Sequence, residues 1–203
     1  MSNIIDNTIE FVKEFFKNDY SGHDYFHTIR VYELAKKIAE KENADIELAS
    51  LIALLHDVDD CKLVGEVGKS LKNTKNFLHS NEMKKDKINL ICNEISKISF
   101  KGTGKNTPET LEGKIAQDAD RLDALGAIGI ARTFAYGGSR NRPMYLPKDD
   151  ENYKTSSIAH FYDKLLKLSD LMNTNEAKQI AIQRTEYMRE YLKELYDELN
   201  GLK

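Results

Sequence analysis

The chain has 203 residues, which suits one ordinary domain with a substantial apolar core. Its 30 basic and 33 acidic residues are interspersed, so the net charge of −3 indicates no nucleic-acid-binding surface at the level of the whole chain. No apolar run reaches the length of about 18 residues that spans a bilayer, and the N-terminus lacks the features of a secretory signal. We therefore expect a cytoplasmic protein with no nucleic-acid or membrane partner.

The composition favours helix over strand. The chain contains only three prolines and eleven glycines, and it is rich in Lys, Glu, Leu, Ile and Ala. Its two cysteines, Cys61 and Cys92, do not form a CxxC motif, which argues against a disulfide scaffold and against a thiolate metal site. Cys92 lies in an apolar helical pattern and is most simply a core residue.

Apolar spacing predicts helices through most of the chain. In chain order, the first five are predicted over residues 4–16, 24–42, 46–55, about 66–80 and 84–98. The segment 46–55 is apolar almost throughout and begins after Asp45, a good N-cap, so it is predicted to be the buried centre of a bundle.

The second half of the chain is also predicted to be helical, apart from one long loop. Thr107 as cap and Pro108 as first helical residue predict a helix start, and residues 109–136 follow in one or two pieces. A loop over 137–154 is either a lid whose Arg140 and Arg142 bind a polyphosphate or an ordinary exposed loop. Two final helices are predicted over 155–172 and 174–200. With no repeat and no low-complexity linker, one all-α domain over 1–203 is the economical interpretation.

The histidines give the main chemical signal. There are five, and three of them lie beside or near an aspartate, in the motifs His23-Asp24-x-x-His27 and His56-Asp57. Imidazole and carboxylate groups together suit Zn, Mn, Fe, Co or Ni. The remaining two, His79 and His160, belong to no visible motif.

The pair His56-Asp57 directly follows the apolar segment 46–55. Adjacent helical residues point about 100° apart, so both side chains can reach one ion only where the helix ends or the site surrounds it. A buried aspartate is costly unless it is paired or metal-bound. The alternative is that His56 caps the helix while Asp57 faces solvent.

Two further segments offer candidate ligands. His23 and His27 are four residues apart and can share a helical face, so either can be the ligand; alternatively, His23 positions a turn and His27 is a core histidine. Residues 117–124 place three carboxylates, Asp118, Asp120 and Asp123, just before an apolar stretch. The alternative there is a salt-bridged helix start with Arg121 as partner.

Taken together, these elements resemble the HD superfamily of metal-dependent phosphohydrolases, whose ordered signature is His … His-Asp … Asp. The closer resemblance is to the small bacterial YpgQ/YedJ-like branch. It is carried by Gly22-His23-Asp24-x-x-His27-x-x-Arg30-Val31, by Leu54-Leu55-His56-Asp57-x-x-Asp60-x-Lys62, and by the run from Gln117 to Arg132. The resemblance implies a single-domain HD-type helical bundle, with its motif core over about 20–135 and C-terminal helices over 155–200.

The resemblance also implies a ligand set. The metal ligands would be His27, His56, Asp57 and Asp120, with His23 as a neighbour. They would hold one divalent ion, which can be Mn, Co, Ni, Mg, Fe or Zn. A second, weaker ion is compatible with the sequence.

Other residues are candidates for catalysis. Arg30 and Lys62 can stabilise charge on phosphoryl oxygens, or they can be surface cations. The general base is open among Asp60, Asp123, His23 and Asp24, and Asp123 can instead orient a ligand histidine.

The resemblance implies hydrolysis of a phosphorus ester or anhydride, with a nucleotide as the small-molecule substrate and release of pyrophosphate from nucleoside triphosphates as the leading reaction. A homodimer is compatible with this. The alternatives are a nucleotide-sensing regulatory module and an HD-type di-iron oxygenase, although few histidines remain for a second iron.

Overall fold

The computed structural model describes residues 3–17, 24–60, 70–98 and 106–203, which form nine α-helices, two 3₁₀ helices and no strand. The all-α prediction is therefore confirmed. The α-helices are α1 (Ile4–Phe15), α2 (Tyr25–Glu42), α3 (Ile46–Leu55), α4 (Lys72–Ser80), α5 (Lys85–Ile98), α6 (Leu111–Asp123), α7 (Gly126–Ser139), α8 (Ser157–Asp163) and α9 (Asn175–Leu199). Within these ranges, no helix combines the length and apolar character needed to cross a bilayer.

The chain divides into two compact units, Met1–Asp120 and Arg121–Lys203. The single domain expected over 1–203 stays a prediction. In the first unit, every residue of α3 from Leu48 to Leu55 is buried. Helices α1, α2 and α5 all contact α3, as a helix that is apolar on every side requires. The prediction that this segment is a buried central helix is confirmed.

Side-chain caps set several helix starts in the first unit. Asp45 accepts a hydrogen bond from the Leu48 N–H at 3.0 Å, as its sequence position indicated. The prediction that Thr107 and Pro108 begin a helix is wrong, because α6 begins at Leu111. Thr110 precedes it, and its hydroxyl accepts a hydrogen bond from the Gly113 N–H at 3.0 Å.

A buried carboxylate explains this shift. Glu94 on α5 is fully buried, and both the N–H and the hydroxyl of Thr110 donate to its Oε2 at 2.9 Å. Pro108 is buried as well. A contact with another helix therefore determines where α6 begins, overriding the local cap signal.

The second unit is built on α9. Its buried residues recur every three or four positions and face α7 and the 3₁₀ helix Leu165–Leu171; they are Ala177, Ala181, Thr185, Met188 and Leu192. The predicted helix over 155–172 is α-helical only over α8. In the 3₁₀ helix that follows, the buried Leu165 and Leu168 are three residues apart, which matches its period of three residues per turn.

We expect Gly113→Ala to lower the free energy of unfolding by about 1–3 kcal/mol, the usual cost of overpacking. An added Cβ would lie 2.2 Å from Glu94 Oε2 and 2.7 Å from Pro108 Cβ. Gly138→Ala is the matched control, since its Cβ would meet nothing within 4 Å, and we expect a change within about 0.5 kcal/mol. Urea unfolding of both variants measures the difference, and equal midpoints would contradict the steric argument.

Candidate metal centre

The His56-Asp57 pair lies where α3 ends. The helix stops at Leu55, and the next residues turn, with the Asp60 N–H donating to the Asp57 carbonyl at 3.0 Å. His56 and Asp57 are only 8% and 6% exposed. Both side chains therefore lie in the interior of the first unit, directly after the apolar helix. The alternative in which Asp57 faces solvent is wrong.

His27 comes from the first turn of α2. Asp24 caps this helix by accepting a hydrogen bond from the His27 N–H at 2.7 Å, which fixes the backbone of the histidine. The His27 side chain is completely buried. Asp120, on α6, supplies the fourth group, and its side chain is 30% exposed.

His27, His56 and Asp57 offer ligand atoms within 4.8 Å of one another, and an Asp120 oxygen lies near both histidines. His27 Nε2 lies 3.4 Å from Asp57 Oδ2 and 3.5 Å from Asp120 Oδ1, and His56 Nε2 lies 3.2 and 3.8 Å from the same two oxygens. Atoms arranged tetrahedrally around one ion at about 2.1 Å are about 3.4 Å apart. The four histidine-to-carboxylate separations are therefore compatible with ligands of a single divalent cation.

A hydrogen bond selects the tautomer of His56. Its Nδ1 lies 2.7 Å from the Ala53 carbonyl oxygen, and a carbonyl can only accept, so Nδ1 carries the proton. In the neutral ring, the lone pair is then on Nε2, which faces the two carboxylates. This arrangement is typical of metal-ligating histidines, which donate their other ring N–H to a protein oxygen.

The electrostatics also favour a cation. Burial by itself would lower the pKa of His56, but the charges of Asp57 and Asp120 outweigh it and raise that pKa to about 10. Among the described residues, the buried Nε2 of His56 has no well-formed hydrogen-bond partner. A divalent cation fits this set of two imidazoles and two carboxylates, including the Nε2 that lacks a hydrogen bond. The cation can replace the proton of His56 and offset both negative charges.

The other predicted site residues lie in different surroundings, and two of them fall outside the described residues. Arg30 lies partly exposed on α2, three residues after His27, and Asp60 is partly exposed just after the ligand pair. Asp123 is buried in the second unit, where Arg132 donates to its Oδ2 at 2.5 Å. That contact favours a structural role, and the catalytic assignments of all three stay predictions. His23 and Lys62 lie outside the described residues.

Sequence reasoning missed Asp59. Its carboxylate is buried and accepts hydrogen bonds from the backbone N–H groups of Asn73 and Thr74 at 3.1 and 2.9 Å. It thereby joins the turn that carries His56 and Asp57 to the start of α4. No motif marks this role, because both partners are backbone groups far along the chain.

Comparison with known proteins identifies the family. The HD domain family model matches residues 24–125. The chain is 38% identical over 193 residues to YpgQ of Bacillus subtilis, which covers 94% of this chain and 91% of that protein. This protein therefore belongs to the HD domain family, and the resemblance seen in its motifs is confirmed.

Solved structures of related proteins have a similar fold. The crystal structure of Bacillus subtilis YpgQ in complex with ADP aligns with a TM-score of 0.82 at 36% identity, covering 96% of this chain and 94% of that one. An HD-superfamily hydrolase from Bacillus thuringiensis aligns with a TM-score of 0.80 at 42% identity, covering 97% and 96%. Both values confirm the HD-type helical fold.

We expect cation binding to the metal-free protein to release a proton from His56. Because its pKa of about 10 keeps that ring protonated at neutral pH, the apparent affinity should rise about tenfold per pH unit between pH 6 and 9. Calorimetric titration with Mn²⁺, in two buffers of different ionisation enthalpy, measures both the affinity and the protons released. An affinity that does not change with pH would contradict the expectation.

We expect Asp59→Ala to lower the free energy of unfolding by about 1–2 kcal/mol, because two backbone N–H groups at the start of α4 lose their acceptor. Glu33→Ala, an exposed position within α2, is the control and should change stability by no more than about 0.5 kcal/mol. Chemical denaturation of both metal-free variants tests this, and an Asp59→Ala variant as stable as the control would refute the capping role.

Proposed function

We propose that this protein is a metal-dependent phosphohydrolase that acts on nucleotides, releasing pyrophosphate from nucleoside triphosphates or cleaving a related phosphoanhydride or phosphoester. The observation that carries the proposal is the convergence of His27, His56, Asp57 and Asp120 at ligand-to-ligand distances. The Bacillus thuringiensis relative is an HD-superfamily hydrolase, which supports hydrolysis. YpgQ has been crystallised with ADP, which supports a phosphorylated ligand.

The four side chains would hold one divalent ion. The two carboxylates would offset its charge, and the two imidazoles would add neutral donors. A bound cation supplies polarisation of a phosphoryl oxygen and lowers the pKa of a water molecule. The Ala53 carbonyl holds the His56 ring in the tautomer that presents Nε2 to the ion. The Asp24 cap holds the backbone of His27.

Burial shapes access to this centre. His27, His56 and Asp57 are almost completely shielded from water, whereas the Asp120 side chain is 30% exposed. We propose that substrate approaches on the Asp120 side, because only that ligand meets solvent appreciably. Shielding on the other side strengthens the electrostatic interaction between the ligands and a cation.

The partly exposed neighbours are candidates for the remaining roles. Arg30 would stabilise negative charge on phosphoryl oxygens, and Asp60 would accept a proton from the attacking water. Asp60 is better suited to this than Asp123, because Asp123 is paired with Arg132. His23 and Lys62 remain candidates from their motifs.

We expect turnover of nucleoside triphosphates to require a divalent cation. Turnover should fall at least about hundredfold in both His56→Ala and Asp57→Ala, because each substitution removes a proposed ligand. Loss of a residue that only supports a ligand already costs about 10–100-fold. A nucleotide panel with Mn, Co, Ni, Mg and Zn, with phosphate and pyrophosphate measured separately, tests this. His79→Ala, on the exposed surface of α4, is the control and should retain activity.

Further measurements separate the alternatives. Loss of bound metal in the two ligand variants, with helical content unchanged by circular dichroism, would support the proposed ligand set. Retained turnover in both variants would end the metal hypothesis. Release of neither phosphate nor pyrophosphate from any nucleotide, together with oxygen consumption by the iron-loaded protein, would favour the oxygenase instead.

A further inference from the structure

The second unit carries two arginines that share one aromatic ring. Tyr136 lies near the end of α7, and the guanidinium carbons of Arg140 and Arg142 lie 5.5 and 5.7 Å from its ring centroid. Both distances fall within the range of a cation–π contact. Tyr136, Arg140 and Arg142, all exposed, are called here the Tyr136 surface.

Backbone contacts hold this surface in one conformation. The Arg142 N–H donates to the Gly137 carbonyl at 2.9 Å, and just beyond it the Ser157 N–H donates to the Pro143 carbonyl at 2.8 Å. Gly137 permits close approach, since a Cβ there would lie 2.1 Å from Ser157 Oγ. The arginines therefore extend from a segment secured to α8, and less ordering is needed when a ligand binds.

No described residue neutralises the positive charges of the Tyr136 surface by an ion pair. Ion pairs in the second unit include those of Arg132 and Lys203. Throughout residues 106–203, all of which the structure describes, neither Arg140 nor Arg142 forms an ion pair. Two like charges held near one ring repel each other, so an anion that contacts both is favoured over an anion that contacts one.

The positive field extends onto α8. Burial, followed by the charges of Lys164 and Arg142, lowers the pKa of the partly exposed His160, and only Asp163 opposes them. Arg142 therefore lies close enough to His160 to act on its charge, and the Tyr136 surface itself offers two cationic groups, Arg140 and Arg142.

We propose that the Tyr136 surface binds a polyphosphate anion, either inorganic or carried by a nucleotide. A guanidinium presents a planar fork of N–H donors that matches two phosphate oxygens. Adjacent phosphates carry several negative charges close together. A polyphosphate can therefore contact both arginines that share the tyrosine ring. The inference goes beyond the proposed function, since it requires neither a cation nor hydrolysis.

The test is a titration of the full chain, freed of metal with EDTA, with sodium tripolyphosphate. We expect Arg140→Gln/Arg142→Gln to weaken binding about tenfold or more, because two charge-assisted contacts are lost. Arg189→Gln/Lys193→Gln, two exposed cations on α9, removes the same charge and should change the dissociation constant less than about twofold. Arg140→Lys/Arg142→Lys should give an intermediate affinity, because it keeps the charge but not the fork.

Three outcomes would overturn the proposal. These are no saturable binding to the wild-type chain, equal weakening in the matched control pair, or tighter binding of an acidic peptide or a single-stranded oligonucleotide than of tripolyphosphate. Because the titration is done without metal, a protein that fails to hydrolyse nucleotides leaves this result unaffected. Equally, failure here does not bear on the metal centre.

Discussion

The central constraint on the first unit is the burial of His27, His56 and Asp57 in one cluster, with the partly exposed Asp120 beside the two histidines. Removing charged groups from water is expensive unless partners compensate. In the cluster, Asp57 and Asp120 both lie within 4 Å of His27 and His56, and they raise the pKa of His56 to about 10. Either protons or a cation must compensate this charge, so the buried cluster is compatible with a metal site.

Backbone hydrogen bonds hold the cluster in place. Asp24 fixes the start of α2 at His27, the Ala53 carbonyl orients the ring of His56, and Asp59 ties the turn after Asp57 to α4. Each contact sets the position or orientation of a ligand without occupying an atom that faces the centre. Such support is what a preorganised site requires, since loosely held ligands bind a metal poorly.

The second unit shows a different arrangement of charge. Asp123 is neutralised in the interior by Arg132, whereas Arg140 and Arg142 lie at the surface around Tyr136. The buried Asp123 is paired, whereas the exposed Arg140 and Arg142 form no ion pair with a described residue. This contrast is why Asp123 suits a structural role better than a catalytic one, and why the two arginines suit a binding role.

The sequence by itself determined the helical class and most helix positions, because apolar periodicity is a local feature, and its His … His-Asp … Asp order indicated the family. The four-residue ligand set stays a prediction, of which the structure brings His27, His56 and Asp57 together. Only the tertiary structure decided the start of α6, where buried Glu94 holds Thr110. It also revealed the role of Asp59 and the pairing of Asp123 with Arg132. In each of these cases the partner is a backbone group or a side chain remote in sequence or on another helix, and spacing along the chain cannot specify such a contact.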